Sequence, residues 1–240
     1  MISSISYPKR SDMNDEYVMN SAETILDVAE RQLAKQGIVD MSLGTVAAEV
    51  GCSKATIYRH YANKDELMLA VFNRELLWRL NMSQKILDAE CFNALERLVL
   101  FSTSNVVYRT EHPYAHGLAF LATNSVLWRR ASKDSKQGLV TNIERVRRIP
   151  SLIIEQEPSV AAQTEQVKAV LDAMFALERG YIAANCNFVY GAIYNCLPNR
   201  HYIDRFAAIA RQLMWPELTQ VDGDGLQVWL ASELESSAIR

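Results

Sequence analysis

Apolar residues recur three and four positions apart along most of this chain, which is the spacing of one helix face. Ala22, Ile25, Leu26, Ala29 and Leu33 form the first stripe. Val46, Ala47 and Val50 form a second, short one, and Ile57 and Tyr61 a third. Residues 64–82, with Leu67, Val71 and Leu77, read as one longer helix. Further stripes are Phe92, Leu95, Leu98, Val99, Ser102 and Val106, then Val167, Val170, Leu171, Met174, Tyr181 and Ile182, then Ile203, Phe206, Ile209, Ala210 and Leu213. The segment 226–239 suits a short extra helix. No Asn-Gly or Asp-Gly turn joins alternating segments, so nothing predicts a hairpin, although Asp222-Gly223-Asp224-Gly225 marks a loop. The pattern predicts an all-α chain without internal repeats.

Punctuation sharpens the boundaries. Asn20-Ser21-Ala22-Glu23 resembles a capping box that would open the first helix, and Gly37 would close it. Ser42 and Ser53 are natural N-caps, and Gly51 can take the positive φ that ends a helix. Asn63-Lys64-Asp65-Glu66 starts the longer helix, with Asn63 capping and Glu66 able to reach back. Trp215-Pro216 ends the last long stripe, because proline disfavours helix before it.

The segment Ser42–Tyr61 is the most informative. Two short helices meet at a tight turn at Gly51-Cys52, with Ala47 small enough for a close crossing. Ile57 and Tyr61 point to the core, which leaves Lys54, Ala55, Thr56, Tyr58, Arg59 and His60 facing outward. From Cys52 to Lys64 there are three basic side chains, Lys54, Arg59 and Lys64, and no acidic one. This is the layout of a helix-turn-helix that places its second helix in the DNA major groove. Arg59 can fork onto guanine, Ala55 can approach a base edge, and Thr56 and Tyr58 carry hydroxyls that reach phosphates.

Residues 20–72 resemble the TetR (tetracycline-repressor-like) family of bacterial transcriptional regulators. The resemblance rests on Leu43-x-x-Val46-Ala47-x-x-x-Gly51, on Ser53 through Tyr61, and on Lys64-Asp65-Glu66-Leu67. It implies an N-terminal three-helix DNA-binding domain over 1–64 and a helical effector-binding and dimerisation domain over 65–240. It also implies that Lys54, Ala55 and Arg59 face bases while Ser53, Thr56, Tyr58, His60 and Lys64 hold phosphates. Helices near 160–187 and 199–214 would form the homodimer bundle. Gly44 departs from the pattern, since many members place a long polar side chain there. A tail carrying Lys9 and Arg10 could add a minor-groove contact or be a disordered terminus.

Composition narrows the field. The chain has 240 residues and a net charge of −3, so DNA contact requires a local basic patch rather than a general polycation. No apolar run is long enough to span a bilayer and no signal-peptide core is present, which predicts a cytoplasmic protein with no membrane partner. Cys52, Cys91, Cys186 and Cys196 form no CxxC pair and read as free thiols, with a Cys186–Cys196 redox switch as the alternative. No Walker loop, GxSxG elbow, HExxH or dinucleotide fingerprint occurs, so neither an enzyme nor a cofactor is expected.

The second domain holds candidates for a small-molecule pocket, namely Tyr108, His116, Phe120, Asn124, Trp128, Phe175, Tyr181 and Asn185. Ordinary core packing accounts for the same residues. His112 and His116 are four apart, but no third ligand is evident and no metal site is expected. Residues 129–148 hold seven basic side chains against two acidic ones, either a solvated face or a site for an anionic effector such as an acyl-CoA phosphate. Together these readings predict a homodimeric, ligand-responsive DNA-binding regulator, a repressor released from a palindromic operator. The alternative is an architectural or division-related DNA-binding protein of the same fold without a ligand.

Overall fold

The computed structural model describes residues 10–122, 125–187, 197–216 and 219–238, and among these every regular element is a helix. In chain order they are α1 (Arg10–Asp40), α2 (Leu43–Val50), α3 (Lys54–His60), α4 (Lys64–Asp88), α5 (Ala94–Glu111) and α6 (Pro113–Ala122). There follow α7 (Ser125–Arg130), α8 (Lys133–Glu155), α9 (Pro158–Ala161), α10 (Thr164–Asn185), α11 (Asn199–Ala210) and α12 (Gly223–Ala238).

Several boundaries follow local chemistry. Gly37 breaks α1 with φ 78°. Ser42 caps α2 through a reciprocal box with Thr45, and Gly51 ends it with φ 78°, so that the Gly51 and Cys52 amides both reach Ala47 O at 3.0 Å. Ser53 caps α3, and Asn63 caps α4. Other boundaries differ from expectation. Helix α1 begins at Arg10, so Asn20 lies inside it; no glycine or proline separates residues 10 and 36 to interrupt the helix. The Glu66 carboxylate turns away from Asn63 and accepts from Ser132 N and Ser135 Oγ, where it meets the positive end of α8. Helix α4 runs six residues past the expected end at residue 82. Helix α11 stops at Ala210, well before Pro216, and the Trp215 indole donates back to Ala210 O at 2.8 Å.

Two apolar cores divide the molecule. The first gathers Ile25, Val46, Ile57, Leu67 and Val71, and continues into Leu118 of α6, Leu127 of α7 and Leu139 of α8. The second gathers Ile86, Leu98, Ile153, Met174, Ile203 and Phe206 with Leu226 and Leu230 of α12. Helix α4, about 37 Å long at 1.5 Å per residue, enters both. Its first three turns belong to the first core, and Met82 and Ile86 to the second. It packs along α8, which likewise runs from the first core at Leu139 to the second at Ile153.

Candidate nucleic-acid interface and effector cavity

Helices α1 and α2 are tied together by polar bonds, and α3 joins them through the core. Glu49 accepts from Gln32 at 2.7 Å and from Arg31 at 3.1 Å, and Gln32 in turn accepts from Thr45 Oγ1 at 2.8 Å. Those bonds hold the Glu49 carboxyl below its ordinary range, with the Gln32 bond as the largest cause. Ile57 is fully buried and fixes the rotation of α3. The opposite face is thereby exposed, with Lys54, Ala55, Tyr58 and Arg59 in solvent and Thr56 and His60 half-buried. Ser53 spends its hydroxyl on the Thr56 amide at 3.1 Å.

Two sites in this unit depart from a simple reading of the sequence. A Cβ on Gly44 would stand 2.9 Å from Lys54 Cε, so the missing side chain leaves room for Lys54 to lie across α2. Lys64 donates to Ile38 O at 2.6 Å and Val39 O at 3.5 Å, which places its ammonium on carbonyls just past the Gly37 break. This is a favourable place for a cation, because those carbonyls form the negative end of a helix. Lys64 therefore joins α4 to α1.

The second candidate site is a cavity of about 570 Å3 between α4, α5, α8 and α10. Phe72, Leu76, Leu98, Phe101 and Met174 give it an apolar body. Its polar wall is built from Arg79, Asn105, Arg109 and Glu178, all largely buried. Arg79 Nη2 donates to Glu178 at 3.2 Å, and Asn105 donates to the same carboxylate at 2.7 Å. Burial pulls the Arg79 guanidinium below its ordinary pKa despite Glu178. Arg109 donates to Asn105 Oδ1 at 3.3 Å and to Ala115 O of α6 at 2.6 Å. Behind Arg109, at 3.8 Å, lies Glu75 of α4, whose carboxyl burial pushes up to about 8 against the pull of Arg109.

From this wall a polar route leads toward α1. Arg109 holds Ala115 of α6, and Tyr114, one residue earlier, donates to Glu30 of α1 at 2.6 Å. Burial and the Glu30 bond raise the Tyr114 phenol well above its ordinary range. Arg74 of α4 pairs with Glu30 and with Asp27, the latter at 2.6 Å.

Of the aromatic and amide residues expected in a pocket, Phe175 lines this cavity. His116 has its pKa lowered by burial and then by Arg109 and Arg179, but it is not on the wall. Tyr108 is buried between the rings of Trp78 and His112. Phe120 is 62% exposed on α6, and Trp128 packs against the first core. Tyr181 bonds His201, and Asn185 donates to Thr110 and Tyr202, so both join α10 to its neighbours. Asn124 lies outside the described residues. Aromatic content selected packing residues here, whereas the wall is made by charged residues set into apolar stripes. Arg79 between Trp78 and Leu80, and Glu178 beside Leu177, carried that signal in the sequence.

His112 closes α5 and its Nδ1 lies 2.9 Å from Tyr108 O. No group of three or more His, Cys, Asp or Glu side chains is placed to hold a metal among the described residues. Arg147 of the basic run reaches the cavity, while Arg130 pairs with Asp65 at 3.4 Å. Cys52 and Cys186 are half-buried and Cys91 is exposed, and the Cys186 thiol donates to Arg109 O at 3.2 Å; Cys196 lies outside the described residues, and with it the alternative of a Cys186–Cys196 pair. No described helix is long and apolar enough to cross a membrane.

Residues 25–71 match the family model described as bacterial regulatory proteins, tetR family. An uncharacterised HTH-type transcriptional regulator of Mycobacterium tuberculosis is 29% identical over 93 residues. That match covers 39% of this chain and 46% of the relative, so the chain spans about half the length of the curated protein it matches. Among solved structures, a tetR-family regulatory protein from Rhodococcus RHA1 superposes with a TM-score of 0.58 at 17% identity, covering 82% of this chain and 98% of its own. The transcriptional regulator FadR from Bacillus subtilis, in complex with stearoyl-CoA, superposes with a TM-score of 0.54 at 13% identity, covering 79% and 95%. At such identities these two establish the shared fold.

Proposed function

We propose, from this chain's membership of the tetR family of bacterial regulatory proteins, that it is a ligand-responsive repressor that binds a palindromic operator as a homodimer. The observation that carries this reading is the juxtaposition of two sites on one helix. Helix α4 leaves the α1–α3 unit at Lys64 and lines the cavity at Phe72, Leu76 and Arg79. A ligand that changes the position of α4 therefore changes the placement of α3.

On this reading Lys54, Ala55 and Arg59 read bases, while Ser53, Thr56, Tyr58, His60 and Lys64 serve the phosphates. The domain boundary falls near residue 64, with α4 as the lever. Dimerisation is supported by the outer face of α10, where Ala169, Ala173, Ala176 and Gly180 form an exposed stripe of small residues beside the exposed Phe175. Small residues at helical spacing let a second helix approach closely. One α3 helix reads only a few base pairs, and a two-fold dimer doubles the site at one helical-turn spacing. That the solved FadR carries an acyl-CoA supports a small-molecule effector for this cavity as well. The cavity also favours this reading over a purely architectural DNA-binding role, which would not need one. The absence of enzymatic motifs accords with a regulator.

The test is competition between operator and random duplex at fixed, near-physiological salt. A specific regulator prefers its operator by about 10³-fold or more. Equal binding to both would remove the regulatory reading. Release of the operator by a cavity ligand at saturating concentration tests the response, since a ligand shifts the equilibrium only by its differential affinity for the two states.

A further inference from the structure

Four buried side-chain atoms lack a hydrogen-bond partner among the described residues: both Glu75 oxygens, Thr103 Oγ1 and Arg79 Nε. Of these residues, Arg79 alone stands on the cavity wall. Its guanidinium is over the Phe101 ring, 5.0 Å from the centroid, and its Nη2 reaches Glu178 at 3.2 and 3.5 Å. One edge of the fork is therefore occupied, and Nε is an unmade donor on a buried cation. Such a group carries its desolvation cost with no compensating bond. A bidentate acceptor of opposite charge is the chemistry a guanidinium fork fits.

The rest of the wall agrees in sign. Arg79, Arg109, Arg147, Lys168 and Arg179 face two acids, Asp172 and Glu178. The remainder is a set of apolar side chains with Ser102, Asn105, Ser151 and Thr164 among them, and about 570 Å3 holds roughly twenty water-sized groups at the ~30 Å3 that one water takes. A cation would meet guanidinium groups at the polar end, and a wholly apolar ligand would leave the basic wall without a counter-charge. A compact dianion would leave the apolar body unfilled.

We propose that this cavity takes an amphipathic monoanion, an apolar chain or ring ending in a carboxylate, with Arg79 as the residue that anchors the carboxylate. Glu178 is the internal competitor for the same guanidinium. The effect on DNA rests on the ligand-responsive reading given above: because Arg79 belongs to α4, a carboxylate bound there pulls directly on the lever.

The test uses the full chain and three probes of equal tail, namely decanoate, decanol and decyltrimethylammonium, titrated against tryptophan fluorescence. Trp78 of α4 stacks on Tyr108 at 3.8 Å and reports on this region. Decanoate is expected to saturate at least tenfold more tightly than decanol, with the cation weakest. Arg79→Gln should erase the preference for decanoate over decanol. Glu178→Gln should tighten decanoate severalfold, and this variant keeps the test decisive should Arg79→Gln fail to fold. Equal binding of decanoate and decanol, preference for the cation, no saturable binding of any probe, or no gain in Glu178→Gln would each overturn the proposal. Operator binding measured alongside separates the two claims. Decanoate that binds as expected without releasing the operator supports the carboxylate site and removes the ligand-responsive reading. Operator release by decanol as effective as by decanoate keeps that reading and overturns the anion assignment.

Discussion

Gly51, Arg59 and Glu75 show how single residues set local behaviour. Gly51 has φ 78°, and a Cβ there would meet nothing within 4 Å. Gly51→Ala should therefore cost only the left-handed backbone strain, about 1–2 kcal/mol, read as a shift in the urea midpoint. Arg59 is exposed on α3 and shows no ion pair among the described residues. If it forks onto a guanine, Arg59→Ala costs about 1–3 kcal/mol at one operator position and relaxes specificity there. Uniform loss across all sequences would instead make it a phosphate contact. Glu75 sets a pH dependence. With its carboxyl pushed up to about 8, the folded chain keeps a proton between the ordinary carboxyl range and that value, whereas the unfolded chain releases it. Stability should fall as pH rises through this window, and Glu75→Gln should flatten the fall. Thermal melts between pH 5 and 8.5 check this, and parallel slopes for the two proteins would contradict it.

At the scale of elements, the important contacts join helices far apart in sequence. The Tyr114 hydroxyl on Glu30 ties α6 to α1 across 84 residues. Tyr114→Phe should cost about 1.5–3 kcal/mol, as expected for a hydrogen bond to a charged group. Combined with Glu30→Gln, the loss should be less than additive, and additive losses would mean that the two groups do not act together. On the proposed function, the small-residue stripe of α10 packs against a second copy. Ala176→Glu should shift the protein to monomers in light scattering and weaken operator binding with it. An unchanged mass would move the dimer interface elsewhere.

The whole molecule was legible in the sequence to the extent that its elements are self-contained. Helices α2 and α3 carry their own caps, turn glycine and buried Ile57, so short-range signals suffice to place them. The all-α class follows from spacing alone. The cavity was not legible in the same way, because Arg79, Asn105, Arg109 and Glu178 come from three helices and acquire meaning only when these pack together. Tyr181 and Asn185 looked like pocket residues and turn out to be links between α10 and its neighbours. Lys64, a phosphate contact on the proposed function, also sets its ammonium on carbonyls next to the Gly37 break, a tertiary fact. The first core likewise draws on α6, α7 and α8, so the helix pair rests on segments that no local pattern joins to it.

On the proposed function this fold reads a specific DNA sequence, and selection of bound fragments from sheared genomic DNA, followed by sequencing, is the direct test. The expected result is a two-fold symmetric motif with half-sites about one helical turn apart, with one occurrence near the protein's own gene. Recovery of scattered fragments without a shared motif would contradict it and leave an architectural DNA-binding role in its place.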